Sequence, residues 1–332
     1  MDTEPDRDRP DLYISTGHLP PPDRVASLVQ EAYERFKWSS EGRTSSVYPS
    51  LATVREDLFG ICVVGTDGRR YAIGDSEHEF PIMSVSKPFV FALACEALGA
   101  ETARGRLGVN ATGLPFNSLE PFERNADGRT NPMVNPGAIA ATCLVPGATA
   151  PEKWHIIQDG LSRFAGRPLA LNEPIFACAS ESNFRNREIA ERLASFGRLS
   201  LDPAEAVDLY TRQCSLDVSA RDLAVMGATL ADGGVNPVTR QQVIQAESCK
   251  FALAVMATAG LYEKSGDWLY DVGLPGKSGI SGGIVTVSPG KGALGAYAPP
   301  LDEAGNSVKG QLAARTLSER LGLNLFASKP EA

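Results

Sequence analysis

Two groups of apolar runs, one towards each end of the chain, restrict this sequence more than any other feature. DLFGICVVG reads as a buried strand, and after the turn Thr66-Asp67-Gly68 the segment RRYAIG reads as its hairpin partner. Strand signals return only near residue 268, as WLYDVGLP, GGIVTVSP and KGALGAYA. Between them the pattern is helical: PEKWHIIQDGLSRFAG, NREIAERLASFG, PAEAVDLYTRQ and SARDLAVMGATLADGG, the last opened by Ser219 with Asp222 three residues on, as in a capping box. Strands at both ends form one core only if they share a sheet. The expectation is an α+β fold: one antiparallel sheet built from N- and C-terminal strands and flanked by helices, with a helical subdomain at about 100–260 inserted between the sheet segments. RVASLVQEAYERFKW, with Asp23 as its cap, and SVKGQLAARTLSERLG supply helices at the two ends. Residues 1–20, proline-rich and charged, read as a flexible leader, and residues 21–328 as a single domain.

At 332 residues and 43% hydrophobic the chain can bury one large core. A net charge of −8 with interspersed signs offers no basic footprint, so nucleic acid is not an expected partner. No apolar run approaches the roughly 20 residues that span a bilayer. The start, MDTEPDRDRPDL, is unlike a secretory signal, and the expectation is a cytoplasmic protein without a membrane partner. Six cysteines lie scattered with no C-x-x-C pair, and none of the three histidines stands in a metal-binding frame. Neither a disulfide framework nor a metal site is expected, and any hydrolytic chemistry is expected to work without histidine.

Two motif matches fail on context. Gly290-Lys-Gly292-Ala-Leu-Gly295 follows a strand but runs into AYAPP, which cannot open a helix, and Gly276-Lys277-Ser278 lacks the first glycine of a phosphate loop because position 271 is aspartate. Ser84-x-x-Lys87 is different. It stands between the strand hairpin and the apolar run FVFALACEALG, which predicts a helix over 84–98 stopped by Gly99. Ser84 alone is explained by capping, but a lysine in the first turn opposes the helix macrodipole. A desolvated lysine beside a partly positive helix end has its pKa lowered towards that of a useful base, and a hydroxyl three residues away on the same face becomes an activated nucleophile. Lys277-Ser278-Gly279 then leads into the late strand GGIVTVS. S-x-x-K early and a K-T-G relative late, on these elements in this order, form the pattern of serine β-lactamases and penicillin-binding proteins.

Longer stretches extend the pattern: SVSKPF, NPMVNPGAIA, FRNREIA, MGATLADGGVNPVT, AGLYEKSGDWLYDVGLPGKSGISGG and YAPPLDEAGNSVKG. In these the sequence resembles the serine-dependent glutaminases, from about residue 25 to residue 325 in unbroken order. The resemblance implies a serine β-lactamase-like fold, an amidohydrolase acting on a small glutamine-like amide without a cofactor, and a homo-oligomer. It implies that Ser84 is the nucleophile, Lys87 its base and Tyr262 the proton relay, with the backbone N–H groups of Ser84 and Ile280 as oxyanion hole. Asn135, Asn186 and Tyr210 match residues that hold the amino-acid head group of glutamine.

Three positions depart from the family pattern. Pro136 replaces an alanine and is tolerated at the start of a helix. The glutamate that contacts the substrate α-amino group, seven residues before Asn186, is Ala179 here. Glu181 lies two residues on, and in an extended segment it points to the same side and substitutes. At the family's Tyr-Ile-Pro the chain reads Val47-Tyr48-Pro49: an ungapped match puts Val47 at the tyrosine, and a one-residue shift restores Tyr48 to it. The hydrolytic residues are kept and the changes fall on recognition. Hydrolysis of L-glutamine to L-glutamate and ammonia is therefore the leading reading. The others are an amidase for a different ω-amide or an N-substituted glutamine, and a non-catalytic binding protein on this scaffold.

Overall fold

A computed structural model describes residues 17–125 and 127–328. Residues 1–16, most of the stretch read as a leader, lie outside the described residues; packing begins at Leu19, which touches the layer under the first helix. Strands β1 (Gly60–Gly65), β2 (Arg70–Gly74), β5 (Gly276–Ser278), β6 (Gly283–Ser288) and β7 (Gly292–Tyr297) form one sheet in the order β2-β1-β7-β6-β5. Every pairing is antiparallel, and Ile61↔Ala296 and Val63↔Leu294 join the N-terminal hairpin to the C-terminal strands. β1 is buried along its whole length because both faces are covered, which is why it reads as a continuous apolar run. β2, at the edge, alternates exposed and half-buried residues.

The helices Pro22–Phe36 and Val308–Arg320 cover one face, packing Val25, Leu28, Ala32, Ala313 and Leu317 against Ile61, Val63, Ile284 and Leu294. Pro21 rather than Asp23 is the N-cap of the first helix; Asp23 lies in its first turn, where a carboxylate still favours the macrodipole. The helix Ala220–Ala231 lies on the other face, with the Ser219–Asp222 capping box formed. A side chain at Gly227 of that helix would meet the Ala293 Cβ at 2.7 Å, so glycine sets the approach of helix to sheet.

Helices fill the interval between the sheet segments, among them Lys87–Leu98, Asn135–Leu144, Ala150–Ala165 and Ala246–Ala259. A two-residue ladder, β3 (Phe80–Pro81) with β4 (Asp217–Val218), ties the chain just before Ser84 to this helical region, and the Ile82 N–H donates to the Leu216 carbonyl at 2.8 Å. WLYDV, expected as a strand, is the helix Ser265–Asp271. The buried positions run 265, 268 and 272, a helical spacing masked by β-favouring residue types, and Tyr270 is exposed. Among the described residues no single helix is long and apolar enough to cross a membrane.

Candidate active site

The S-x-x-K segment begins as a single 3₁₀ turn, Met83–Ser86, and the α-helix starts only at Lys87. Met83 has φ +48°, in the left-handed region, at a strain of roughly 1–3 kcal/mol. The turn is held from beneath. The Ser86 hydroxyl donates to the Met83 carbonyl at 2.8 Å, Gln213 Nε2 donates to Ser86 at 2.9 Å, and Thr142 donates to Gln213 Oε1 at 2.8 Å. All three side chains are buried, so the strained turn is over-determined by packing and hydrogen bonds.

Ser84 opens onto a cavity of about 90 Å³ with Tyr48, Asn135, Asn186, Tyr210 and Ile280 also in its wall. Lys87 stands behind that wall, 1% exposed. Its Nζ donates to Asn135 Oδ1 at 2.7 Å and to the Met133 carbonyl at 3.3 Å. Burial pulls its pKa down to about 7. Tyr262 is also on strained backbone, with φ +57°. Its hydroxyl donates to the Ser278 carbonyl at 3.1 Å, and the Ser84 side chain is close enough to offset part of the rise that burial imposes on its pKa. Burial pushes the Tyr262 pKa up to about 12, so at neutral pH the phenol keeps its proton.

The β5 edge completes this corner. A side chain at Gly279 would lie 3.3 Å from the Ser84 amide nitrogen and 3.1 Å from the Ile82 carbonyl, so glycine leaves room in front of the Ser84 N–H. Lys277, fully buried, donates to the Ser278 carbonyl at 2.6 Å and lies 4.1 Å from the Tyr262 ring centroid. Burial first, and the nearby charge of Lys87 second, hold its pKa well below the usual lysine range. Two buried amines here cannot both carry a proton cheaply.

Opposite Ser84 a directed chain of amides forms the wall. Asn135 Oδ1 also accepts from the Tyr210 hydroxyl at 3.2 Å, and Asn135 Nδ2 donates to Asn186 Oδ1 at 2.8 Å. Asn186 Nδ2 donates to Asn183 Oδ1 at 2.6 Å, Asn183 Nδ2 to Thr211 Oγ1 at 2.8 Å, and Thr211 to the Val207 carbonyl at 2.6 Å. Each carboxamide NH₂ carries two hydrogens, and the chain engages one of each.

The structure thus gathers Ser84, Lys87, Tyr262, Ile280, Asn135, Asn186, Tyr210 and Tyr48 at one place; Val47, half-exposed, lies at the rim beside Tyr48. Glu181 is not among them. Residues 173–182 form a helix rather than an extended segment, so two residues turn the side chain by about 200° instead of returning it to the same side. Ala179 faces the cavity and Glu181 is exposed on the outer surface.

Asn183, Thr211 and Cys214 in the wall were not anticipated. Helical spacing carried the signal: Asn183 is three residues before Asn186, and Cys214 four after Tyr210. Burial raises the pKa of the Cys214 thiol to about 11, so it sits in the wall as a neutral group. Among the described residues no cluster of His, Cys, Asp or Glu is arranged to hold a metal ion.

The profile of the Glutaminase family matches residues 42–326. The chain belongs to the glutaminase family. It is 66% identical over 318 residues to Glutaminase 2 of Yersinia pestis, covering 96% of this chain and 94% of that one. It is 47% identical over 307 residues to a glutaminase of Brucella canis, covering 92% and 97%. Among solved structures, the probable glutaminase ybaS superposes with a TM-score of 0.91 at 41% identity, covering 93% of this chain and all of that one. Mglu in its glutamate form gives 0.86 at 36% identity, covering 93% and 70%. The fold is accordingly the serine β-lactamase-like one of the glutaminases.

Proposed function

We propose that this glutaminase hydrolyses the side-chain amide of L-glutamine to L-glutamate and ammonia through an acyl-enzyme on Ser84. The observation that carries this is the pairing of a cavity-facing serine with a buried lysine three residues on, its pKa lowered to about 7. A neutral amine has two N–H donors and one lone pair. The Asn135 and Met133 oxygens take the two donors, leaving the lone pair for the proton of Ser84. Ser84 Oγ attacks the carboxamide carbon, and the N–H groups of Ser84 and Ile280 receive the oxyanion. Collapse of the tetrahedral adduct breaks the C–N bond, and Tyr262, close to Ser84, relays the proton that leaves with ammonia. Water then attacks the ester, gives up its proton to Lys87, and frees the carboxylate and the Ser84 hydroxyl.

Family membership and the glutamate-bound form of Mglu support a five-carbon dicarboxylate product. The same membership supports one catalytic domain over residues 21–328, needing no cofactor and working as a homo-oligomer. Ammonia release from L-glutamine, compared with Ser84→Ala, tests the reading, with mass spectrometry of the acid-quenched enzyme to find the acyl group on Ser84. Release that survives the substitution would remove Ser84 from the reaction.

A further inference from the structure

The recognition end of the cavity has no partner for a positive charge. Ala179 lines it and is 2% exposed. One turn earlier on the same helix, Ile175 packs in an apolar cluster with Met83, Leu51 and Ile280, and Tyr48 and Phe116 close against it. The polar part of the wall is made of neutral amides and hydroxyls, chiefly the chain from Asn135 to Thr211. Among the described residues that line the cavity none is a carboxylate, and the one ionised side chain is Arg185. Its guanidinium donates to the Asn117 carbonyl at 2.9 Å and pairs with Glu188 at 2.7 Å, while Asp302 and Glu303 line a neighbouring cavity on the other side of Val47, Phe116 and Ile280. Glu181 faces solvent. The two buried lysines of the site, Lys87 and Lys277, are amines.

Glutamine brings a carboxylate and an ammonium on one carbon. The carboxylate has donors here, because Asn135 and Asn186 each keep a second N–H. The ammonium does not: it would give up water beside alanine and isoleucine with no opposite charge to meet it, and an unpaired buried charge is costly. From this we infer that the site favours an ω-monoamide of a dicarboxylic acid whose α-carbon carries no ammonium. The inference rests on the Ser84 acyl-enzyme reading and sets its substrate class. The reaction balances without a further co-reactant. Serine displaces ammonia from the amide to form an ester, and water displaces serine to give the dicarboxylic acid.

The test compares glutaramate, the monoamide of glutaric acid, with L-glutamine on the wild-type enzyme. The two share chain length, amide and carboxylate and differ only in the α-ammonium. The expected result is a kcat/KM at least tenfold higher for glutaramate, with glutarate inhibiting at least tenfold more strongly than L-glutamate. Ala179→Glu should reverse the preference towards glutamine, and the wild-type comparison stands by itself if that buried substitution impairs folding. A kcat/KM for L-glutamine equal to or above that for glutaramate overturns the inference and leaves the glutaminase reading intact. Ammonia from neither amide, with no acyl group on Ser84, removes both.

Discussion

Ser84, Lys87 and Tyr262 stand on backbone strained at Met83 and Tyr262, whereas Ala179 and Asn186 stand on two helices, Glu173–Ser182 and Phe184–Ser195, with Asn183 at their junction and their outer faces in solvent. On the first wall each group is placed from several directions at once: the β3–β4 ladder, the Ser86–Gln213–Thr142 bonds beneath the turn, and Gly279, just past β5, in front of the Ser84 amide. A larger side chain there would disturb backbone that packing already determines. On the second wall, recognition depends on which side chain a surface helix turns inward. Ala179 for a glutamate alters the charge of the cavity and leaves the helix as it was. On the proposed reading, chemistry and substrate choice therefore sit on parts of the fold with different tolerance for substitution.

The sharpest way to break this comparison is Ser84→Ala, which should lower ammonia release by about 10⁴-fold or more while the circular dichroism spectrum stays native. A residual rate above a hundredth of wild type would show the first wall is not where the chemistry lies. Lys87 comes next. Its lowered pKa means that the neutral base is lost as pH falls through about 7, so kcat/KM should drop about tenfold per pH unit below that point and level off above it. In Lys87→Gln the rate should fall about 10²–10⁴-fold and this acid limb should vanish; a limb that persists assigns the titration to another group.

Thr211→Val tests the second wall. It leaves Asn183 Nδ2 without its acceptor and loosens the amide chain from its far end. An unmet buried hydrogen bond of about 1–3 kcal/mol predicts a KM about five- to 150-fold higher with kcat little changed. An equal fall in kcat would mean that the two walls are coupled. The smallest effect belongs to Glu181→Gln, which should leave kcat/KM within about twofold, as expected of an exposed surface substitution. A tenfold rise in KM for glutamine would bring Glu181 back into the site.

Much of the first wall was legible in the chain. Ser84-x-x-Lys87 ahead of an apolar helix and KSG ahead of a late strand are local signatures, because the 3₁₀ turn, the helix start and the strand edge that give them meaning are themselves local. The sheet was legible too, since β1, β6 and β7 are apolar runs bounded by turns. The segment at 265–271 was misread because tryptophan, leucine and tyrosine in succession suit a strand, while its burial at 265, 268 and 272 depends on what lies beneath it. Glu181 was misread for a related reason. The direction of a side chain two residues away reverses between strand and helix, and the short run around it did not announce which it was.

The sequence by itself determined the two-ended sheet, the helical interval, the placing of Ser84 and Lys87 ahead of an apolar helix, and the family, because these rest on periodicity and on residues near one another in the chain. Only the tertiary structure decided that Lys87 is buried with its pKa lowered, that Tyr262 comes close to Ser84 across 178 residues, and that Ala179 rather than Glu181 faces the cavity. Each of those depends on what surrounds a group in space: how much water remains, which partner arrives from a distant segment, and which side of a helix packs inward. Neither spacing nor composition encodes those quantities one residue at a time.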